Sequence, residues 1–466
     1  MATKIWRVQG DGLAAWAAAA LLARALPDDH SVLVEDDRGP AAEDLQAVLV
    51  EPDGLLVQLA DSGDDLMVRA QGGFCLGVLL REWREGRDVA VVEPEPVPAI
   101  DGVAVQDIVL RAAQRSPAGH GYAALLEPLQ FQARVMSAGK YAHPSAERQS
   151  PRSLLRPRLL LDREVLTICL KAAALRDGAR SVSAAEAEGL TPFMTIDTRP
   201  RDLRGDDDWR GRLGHDRRLS VRYLGGDQPP CVTVRSLPEG LLILTPLRGG
   251  GAASLCYAEN QTSPEQTRRV MSVVLGDVEV VDQSDAADQP GFVHAPWVGD
   301  RLALGPAAVR LGPALGLDDI VLGQQLETLA ACLPGVGSQI PACAAAYNTA
   351  TARDVGHRAD RLHLILRQGP QGAALDPFGP DLERRVRQFL SRNGAVTLDG
   401  DPYDAQHWAM VMAGLGLTPR RYDVQADRLD LTATLAALGR MVMAFDQTLT
   451  ALPAHDTIMA ELHDAA

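Results

Sequence analysis

The residues of this chain that can do chemistry begin with Gly10-Asp11-Gly12-Leu13-Ala14-Ala15-Trp16. This glycine turn follows a strand-length run, residues 4–9. It leads into a helix-forming run, residues 17–26, which Pro27 and two aspartates stop. Residues 31–34 form a second apolar strand that ends in Glu35. Strand, glycine turn, helix, strand and terminal acid stand in the order of a dinucleotide-binding half-unit. Gly10 permits the tight turn, Gly12 lets the backbone approach a pyrophosphate, and Ala15 occupies the position of close helix–strand contact. Amides at the helix N-terminus face the anion, and Glu35 can accept from a ribose hydroxyl. The plainer reading of Glu35 is a solvated strand end.

The other reactive types are less ordered. Six cysteines, at 75, 169, 231, 256, 332 and 343, include no C-x-x-C pair and are expected as reduced thiols, mostly buried. Cys75 is either a small buried hydrophobe between Phe74 and Leu76 or a redox-active thiol. The second reading needs a positive neighbour, and none precedes Arg81 in the local sequence. His294, His357, His363, His407 and His455 lack ligand spacing, so no metal set is expected. The Asp206-Asp207-Asp208 run reads as a solvated loop.

Elements must position these groups. The 466 residues, 46% hydrophobic, support substantial cores and two or three structural units. A net charge of −15 argues against nucleic acid and anionic membrane as partners. No run reaches spanning length, and the apolar stretch 13–26 reads as the helix after the glycine turn rather than a signal peptide, so a cytoplasmic location is expected. Residues 74–83 read as strand, 102–115 as helix, and 154–175 as one helix with Leu159, Leu160, Val165, Ile168, Cys169 and Ala172 on a broad face. Between 218 and 259 the period becomes two, an antiparallel meander, with Gly249-Gly250-Gly251 at a flexible hairpin tip. A strand at 301–304, a Gly305-Pro306 break and a helix from 317 follow. The last 130 residues are largely helical. The expected fold is therefore α/β: a flavoprotein-monooxygenase-like dinucleotide-binding fold in residues 1–335, with an antiparallel sheet subdomain, and a mainly helical C-terminal region in residues 336–466.

Several segments resemble the flavin-dependent tryptophan halogenase family in order and spacing. The glycine turn is similar to that family's G-G-G-T-A-G-W. Gly73-Phe74-Cys75-Leu76-Gly77-Val78-Leu79-Leu80-Arg81-Glu82-Trp83 resembles its T-F-K-L-G-I-x-F-x-x-W, and residues 296–308 resemble its R-V-G-N-x-x-A-L-G-x-A-A. Leu417-Thr418-Pro419-Arg420-Arg421-Tyr422-Asp423 and Pro453-Ala454-His455 look like its L-P-x-x-Y-D and P-x-H segments. The resemblance implies FAD held by Gly10, Gly12, Ala15, Trp16, Glu35, Gly305 and Ala307. It also implies that reduced flavin, oxygen and halide make hypohalous acid, which crosses a tunnel to an aromatic substrate positioned by a lysine and a glutamate.

The chain departs from the family at those positions. The lysine aligns with Cys75 and the glutamate with Leu315. The following Ser and Thr, which help hold halide, become Gly316 and Leu317, and only the proline of W-x-W-x-I-P survives, as Pro246. Pro306 stands where many flavoproteins place an acid near the ribityl chain, and the flavin-covering strap has no counterpart around residues 39–44. A thiol is a poor proton donor beside hypohalous acid and is itself oxidised. Leucine cannot serve as the base that removes a proton from the aromatic intermediate. The resemblance with these losses implies a non-halogenating pseudoenzyme with weakened or lost FAD binding, acting as a partner or ligand-binding protein. Its expected partners are a second copy, an active paralogue or a small aromatic ligand. An FAD-dependent monooxygenase or oxidase, and a halogenase with catalytic residues elsewhere, stand as the alternatives.

Overall fold

The computed structural model describes residues 3–36, 45–60, 65–92, 99–116, 121–203 and 207–464. The first strand β1 (Lys4–Gln9), the helix α1 (Leu13–Ala25) and the strand β2 (His30–Glu35) form the half-unit that the glycine turn implies. β1 and β2 are parallel, with Trp6 opposite Val32 and Val8 opposite Val34. They are the fourth and fifth strands of a six-stranded sheet in the order Trp297–Val298, Arg301–Ala303, Met194–Asp197, β1, β2, Arg180–Val182. Only the Trp297–Val298 edge runs antiparallel to its neighbour. α1 is apolar on every face up to Ala23, with Ala14 through Ala20 all buried, because it is covered on more than one side. It packs on β2 and against the helix Arg163–Arg176.

A seven-stranded sheet lies beyond it, in the order Glu279–Ala287, Arg217–Leu224, Gly250–Tyr257, Gly240–Leu247, Val232–Leu237, Val78–Arg84, Arg87–Val91. All its pairings are antiparallel except that between Val232–Leu237 and Val78–Arg84. The meander is thus present and larger than its alternation suggests. The glycines at its tip are there for close approach rather than flexibility: a side chain at Gly250 would sit 2.1 Å from the Tyr223 carbonyl oxygen, and one at Gly251 2.4 Å from the Tyr223 hydroxyl.

Two expectations need correction. Residues 154–175 are not one helix. Arg158–Asp162 is a strand between Ala47–Val50 and Gly73–Cys75, and the helix begins only at Arg163, where the Asp162 carboxylate caps the Val165 amide at 3.1 Å. The Leu159-Leu160-Leu161 run fits a buried strand as well as a helix, and Ile168, assigned to the buried face, is 55% exposed. Residues 74–83 are likewise two strands, broken at Gly77, whose φ of +152° and contact with the Val91 carbonyl exclude a side chain.

The last third is helical, with Ile340–Arg367, Pro380–Arg392, Ala405–Gly414 and Leu431–Ala451 as its main helices. Leu362, Phe389 and Trp408 share one apolar cluster with Cys75, Ile243 and Leu315. Under it Arg385 and Asp401 form a fully buried ion pair, 2.5 Å apart, to which the Trp408 indole N–H also donates. Among the described residues no helix is long and apolar enough to cross a membrane.

Candidate functional site

The turn after β1 places Gly10 in a positive-φ conformation, +117°, with its Cα face against Thr198: a side chain there would sit 2.4 Å from the Thr198 hydroxyl oxygen. Gly12 caps α1 in an extended conformation with no side-chain bond to its first amides and no acid in the first turn. The helix end is therefore open to an anion. Gly305, at φ +57°, presses on this turn, since its missing Cβ would lie 2.9 Å from that of Ala14. Its amide donates to Gln325 at 2.9 Å.

Gly12, Leu13, Ala14, Thr198, Gly305 and Pro306 form one wall of a cleft. Of the other residues expected to hold a cofactor, Ala15, Trp16 and Ala307 do not reach it. Ala15 and Ala307 are buried, and the Trp16 ring lies in the core with the Lys171 ammonium 4.9 Å above it. Glu35 is buried at the end of β2 and is held by the Arg7 guanidinium and by the Gln9 amide at 3.4 Å. It is not a solvated strand end, and its carboxylate is already paired. The segment around residues 39–44 lies outside the described residues.

The opposite wall was not legible in the sequence. It carries Arg163, Arg218 and Arg310 with Asp288, Asp318 and Asp319, and the space left is about 50 Å³. Sites that take up a small organic ligand are commonly about 300–1,000 Å³. Arg163 pairs with Asp319, which also accepts from the Leu49 amide at 3.2 Å. Arg218 lies 3.4 Å from Asp288. Burial alone would raise the Asp288 carboxyl, but Arg218, His215 and Arg310 outweigh it and hold the group below the ordinary carboxylate range. Asp318 is pushed up to about 6 by burial, despite accepting from the Leu311 amide at 2.6 Å, with Asp288 adding like-charge repulsion.

Behind this wall lies a second cavity, of about 550 Å³, between the seven-stranded sheet and the helical region. Leu241, at the start of the segment that resembles W-x-W-x-I-P, lines it with Trp83, Asp208, Arg210, Gln371 and Asp376. His215 and Cys256 also line it, and they touch Asp288 of the first cleft: the three ligand-capable atoms lie within 4.8 Å of one another. None of the five histidines singled out in the sequence belongs to this group.

Cys75 and Leu315 line neither space. Both are buried in the same apolar cluster, 1% and 4% exposed. The Cys75 thiol donates to the Gly77 carbonyl at 3.2 Å, and burial pushes its pKa up, so it is an unreactive core thiol. Each lysine is engaged elsewhere: Lys4 with the Gly335 carbonyl, Lys140 with the Leu449 carbonyl, and Lys171 with Asp36.

A mostly parallel sheet built on the glycine turn, an antiparallel-rich second sheet and a helical C-terminal region define a flavoprotein-like mixed α/β fold. The family follows from the comparison with known proteins. A tryptophan halogenase profile matches residues 6–190 and 204–430, and the chain belongs to that family. Solved structures agree in fold. The chain is similar to BrvH, a flavin-dependent halogenase from Brevundimonas sp. BAL3, at 19% identity over 99% of both chains with a TM-score of 0.85. A flavin-dependent halogenase from Xanthomonas campestris gives 19% identity over 99% of both chains and a TM-score of 0.84. SttH, a tryptophan 6-halogenase from Streptomyces toxytricini, gives 16% identity over 99% of this chain and 100% of its own, with a TM-score of 0.80. No curated protein matches the chain.

Proposed function

We propose that this chain is a non-halogenating member of its family, a pseudoenzyme with weakened or lost FAD binding that acts as a ligand-binding or partner protein. The observation that carries this reading is the burial of Cys75 and Leu315, which stand where the family lysine and glutamate are expected, in one apolar core. Neither side chain can polarise an oxidant or accept a proton there.

Further support comes from the cleft. An isoalloxazine ring does not fit about 50 Å³ bounded by three arginines and three aspartates, and opening that wall would separate buried ion pairs. The Cys256 thiol lies between the cleft and the larger cavity, where it would consume hypohalous acid on its way to an aromatic guest. The larger cavity is of a size to hold a small ligand.

The second reading, an FAD-dependent monooxygenase or oxidase, is favoured by the open helix end at Gly12 and the intact Gly10 turn. An absorbance spectrum of the purified protein, before and after incubation with FAD and gel filtration, separates the two. The expected protein is colourless and stays so. A stoichiometric flavin spectrum overturns the first reading, and halogenation of an indole by the protein supplied with reduced FAD, oxygen and halide overturns both. The proposed partner, a second copy or an active paralogue, is tested by native mass spectrometry of the protein purified from its own cells. A solitary monomer removes that part of the reading.

A further inference from the structure

The geometry points to a metal site at His215, Cys256 and Asp288, the group that separates the two cavities. This inference is independent of whether flavin binds. All three residues are buried, at 6%, 2% and 2% exposure. The imidazole is already oriented as a ligand. Its Nδ1 faces the Leu213 carbonyl at 3.3 Å, which can only accept, so the proton sits on Nδ1 and the lone pair is on Nε2. That Nε2 has no hydrogen-bond partner among the described residues, and neither has Asp288 Oδ2, which lies 3.7 Å from it. Asp288 Oδ2 has the Arg218 guanidinium, 3.4 Å away, as an ion-pair partner. An inward-facing ring nitrogen left unsatisfied at such depth needs an explanation, and a cation between it and the carboxylate supplies one.

Imidazole nitrogen, thiolate and carboxylate together are a borderline-soft set, suited to zinc rather than to magnesium or calcium. Tetrahedral zinc bonds of about 2.0–2.3 Å place ligand atoms roughly 3.3–3.8 Å apart. The present spread, within 4.8 Å, closes with side-chain shifts of about an ångström. On binding, the Cys256 proton leaves to solvent, a zinc–sulfur bond forms, and no electron changes hands. Zinc, thiolate and carboxylate then sum to zero charge. The opposing influence is Arg218, whose guanidinium shares Asp288 Oδ2, with Arg310 beyond it. Arg218 is not stranded when zinc takes that oxygen: the Gln46 amide, turned over, accepts from both terminal nitrogens at 3.1 Å, and Asp318 supplies a counter-charge. His215 and Cys256 line the 550 Å³ cavity, so the fourth position faces a space that holds water or a small ligand.

The test is a cobalt and zinc titration of the chelator-treated full chain. The expected result is one equivalent of Co²⁺ bound, with a thiolate-to-cobalt charge-transfer band and the d–d bands of a tetrahedral ion, both displaced by zinc. Cys256→Ala abolishes the charge-transfer band. Asp288→Asn, nearly isosteric, keeps that band but weakens binding at least tenfold. Zinc raises the thermal midpoint of wild type and not of Cys256→Ala. Wild-type protein without a cobalt thiolate band overturns the site, whatever the variants do. So does a band that survives Cys256→Ala, which places the metal on another cysteine.

Discussion

Leu315 decides whether the position expected for the family's glutamate is still a site or has become core, and its substitution makes the difference measurable. The side chain is 4% exposed, in a cluster with Leu49, Cys75, Leu160, Ile243 and Leu311. Burying a leucine is worth about 1.5–3 kcal/mol, and truncating one to alanine, with the cavity left behind, costs about 2–5 kcal/mol. Unfolding entropy of about 2.1 cal/mol/K per residue gives roughly 1 kcal/mol/K for a chain of 466 residues. Leu315→Ala therefore lowers the thermal midpoint by about 2–5 °C. Leu315→Glu loses the same packing and buries a carboxyl as well. Burial raises the folded-state pKa of that new group, so its neutral form is tolerated below about pH 4 and the penalty grows as pH rises through the folded-state value. The Glu variant should melt below the Ala variant near neutral pH, with the gap closing on acidification. Scanning calorimetry at about pH 5 and about pH 8 reads both effects. Two variants that melt with wild type at both values would place Leu315 in an open, wetted site and refute the argument that the position is core.

Two predictions test the buried charges directly. Asp318 has a folded-state value of about 6 against an ordinary 3.8, so the folded state binds more protons between them and stability falls as pH rises through that window. Asp318→Asn keeps an acceptor for the Leu311 amide without the charge, and should exceed wild type by about 3 kcal/mol near pH 7.5, with little gain near pH 4; denaturant midpoints at the two values check it, and an equal gain at both contradicts it. Asp401→Ala leaves the Arg385 guanidinium buried and unpaired beside Trp408 and should cost about 3–5 kcal/mol, visible as a lower thermal midpoint; a midpoint equal to wild type contradicts it.

Much of the scaffold was legible because local chemistry and tertiary need agree there. The turn at Gly10 and Gly12, the alanine-rich α1 stopped at Pro27 and the alternating meander each carry a period or a breaker that only one structure satisfies. Residues 154–175 read as one helix because three consecutive leucines satisfy both periods. The signal that resolves them is Asp162, an N-cap in the middle of the stretch. At the site, the glycines of the cleft were readable and its charged wall was not. Arg163, Arg218, Asp288 and Asp318 are each ordinary in their own surroundings, although the near absence of lysine already favoured arginine, the better residue for buried ion pairs.

Sequence alone determined that this chain has a dinucleotide half-unit, a meander and a helical end, and which segments align with the family, because these are properties of neighbours along the chain. Tertiary structure decided where the chemistry went. The pairing register sets Arg218 opposite Cys256 on one side and Ala286 on the other, two residues before Asp288, and so gathers groups from positions 215 to 288 at one point. Whether a thiol, an imidazole and a carboxylate meet in a dry interior depends on strand pairing over long sequence separations, which no local period encodes.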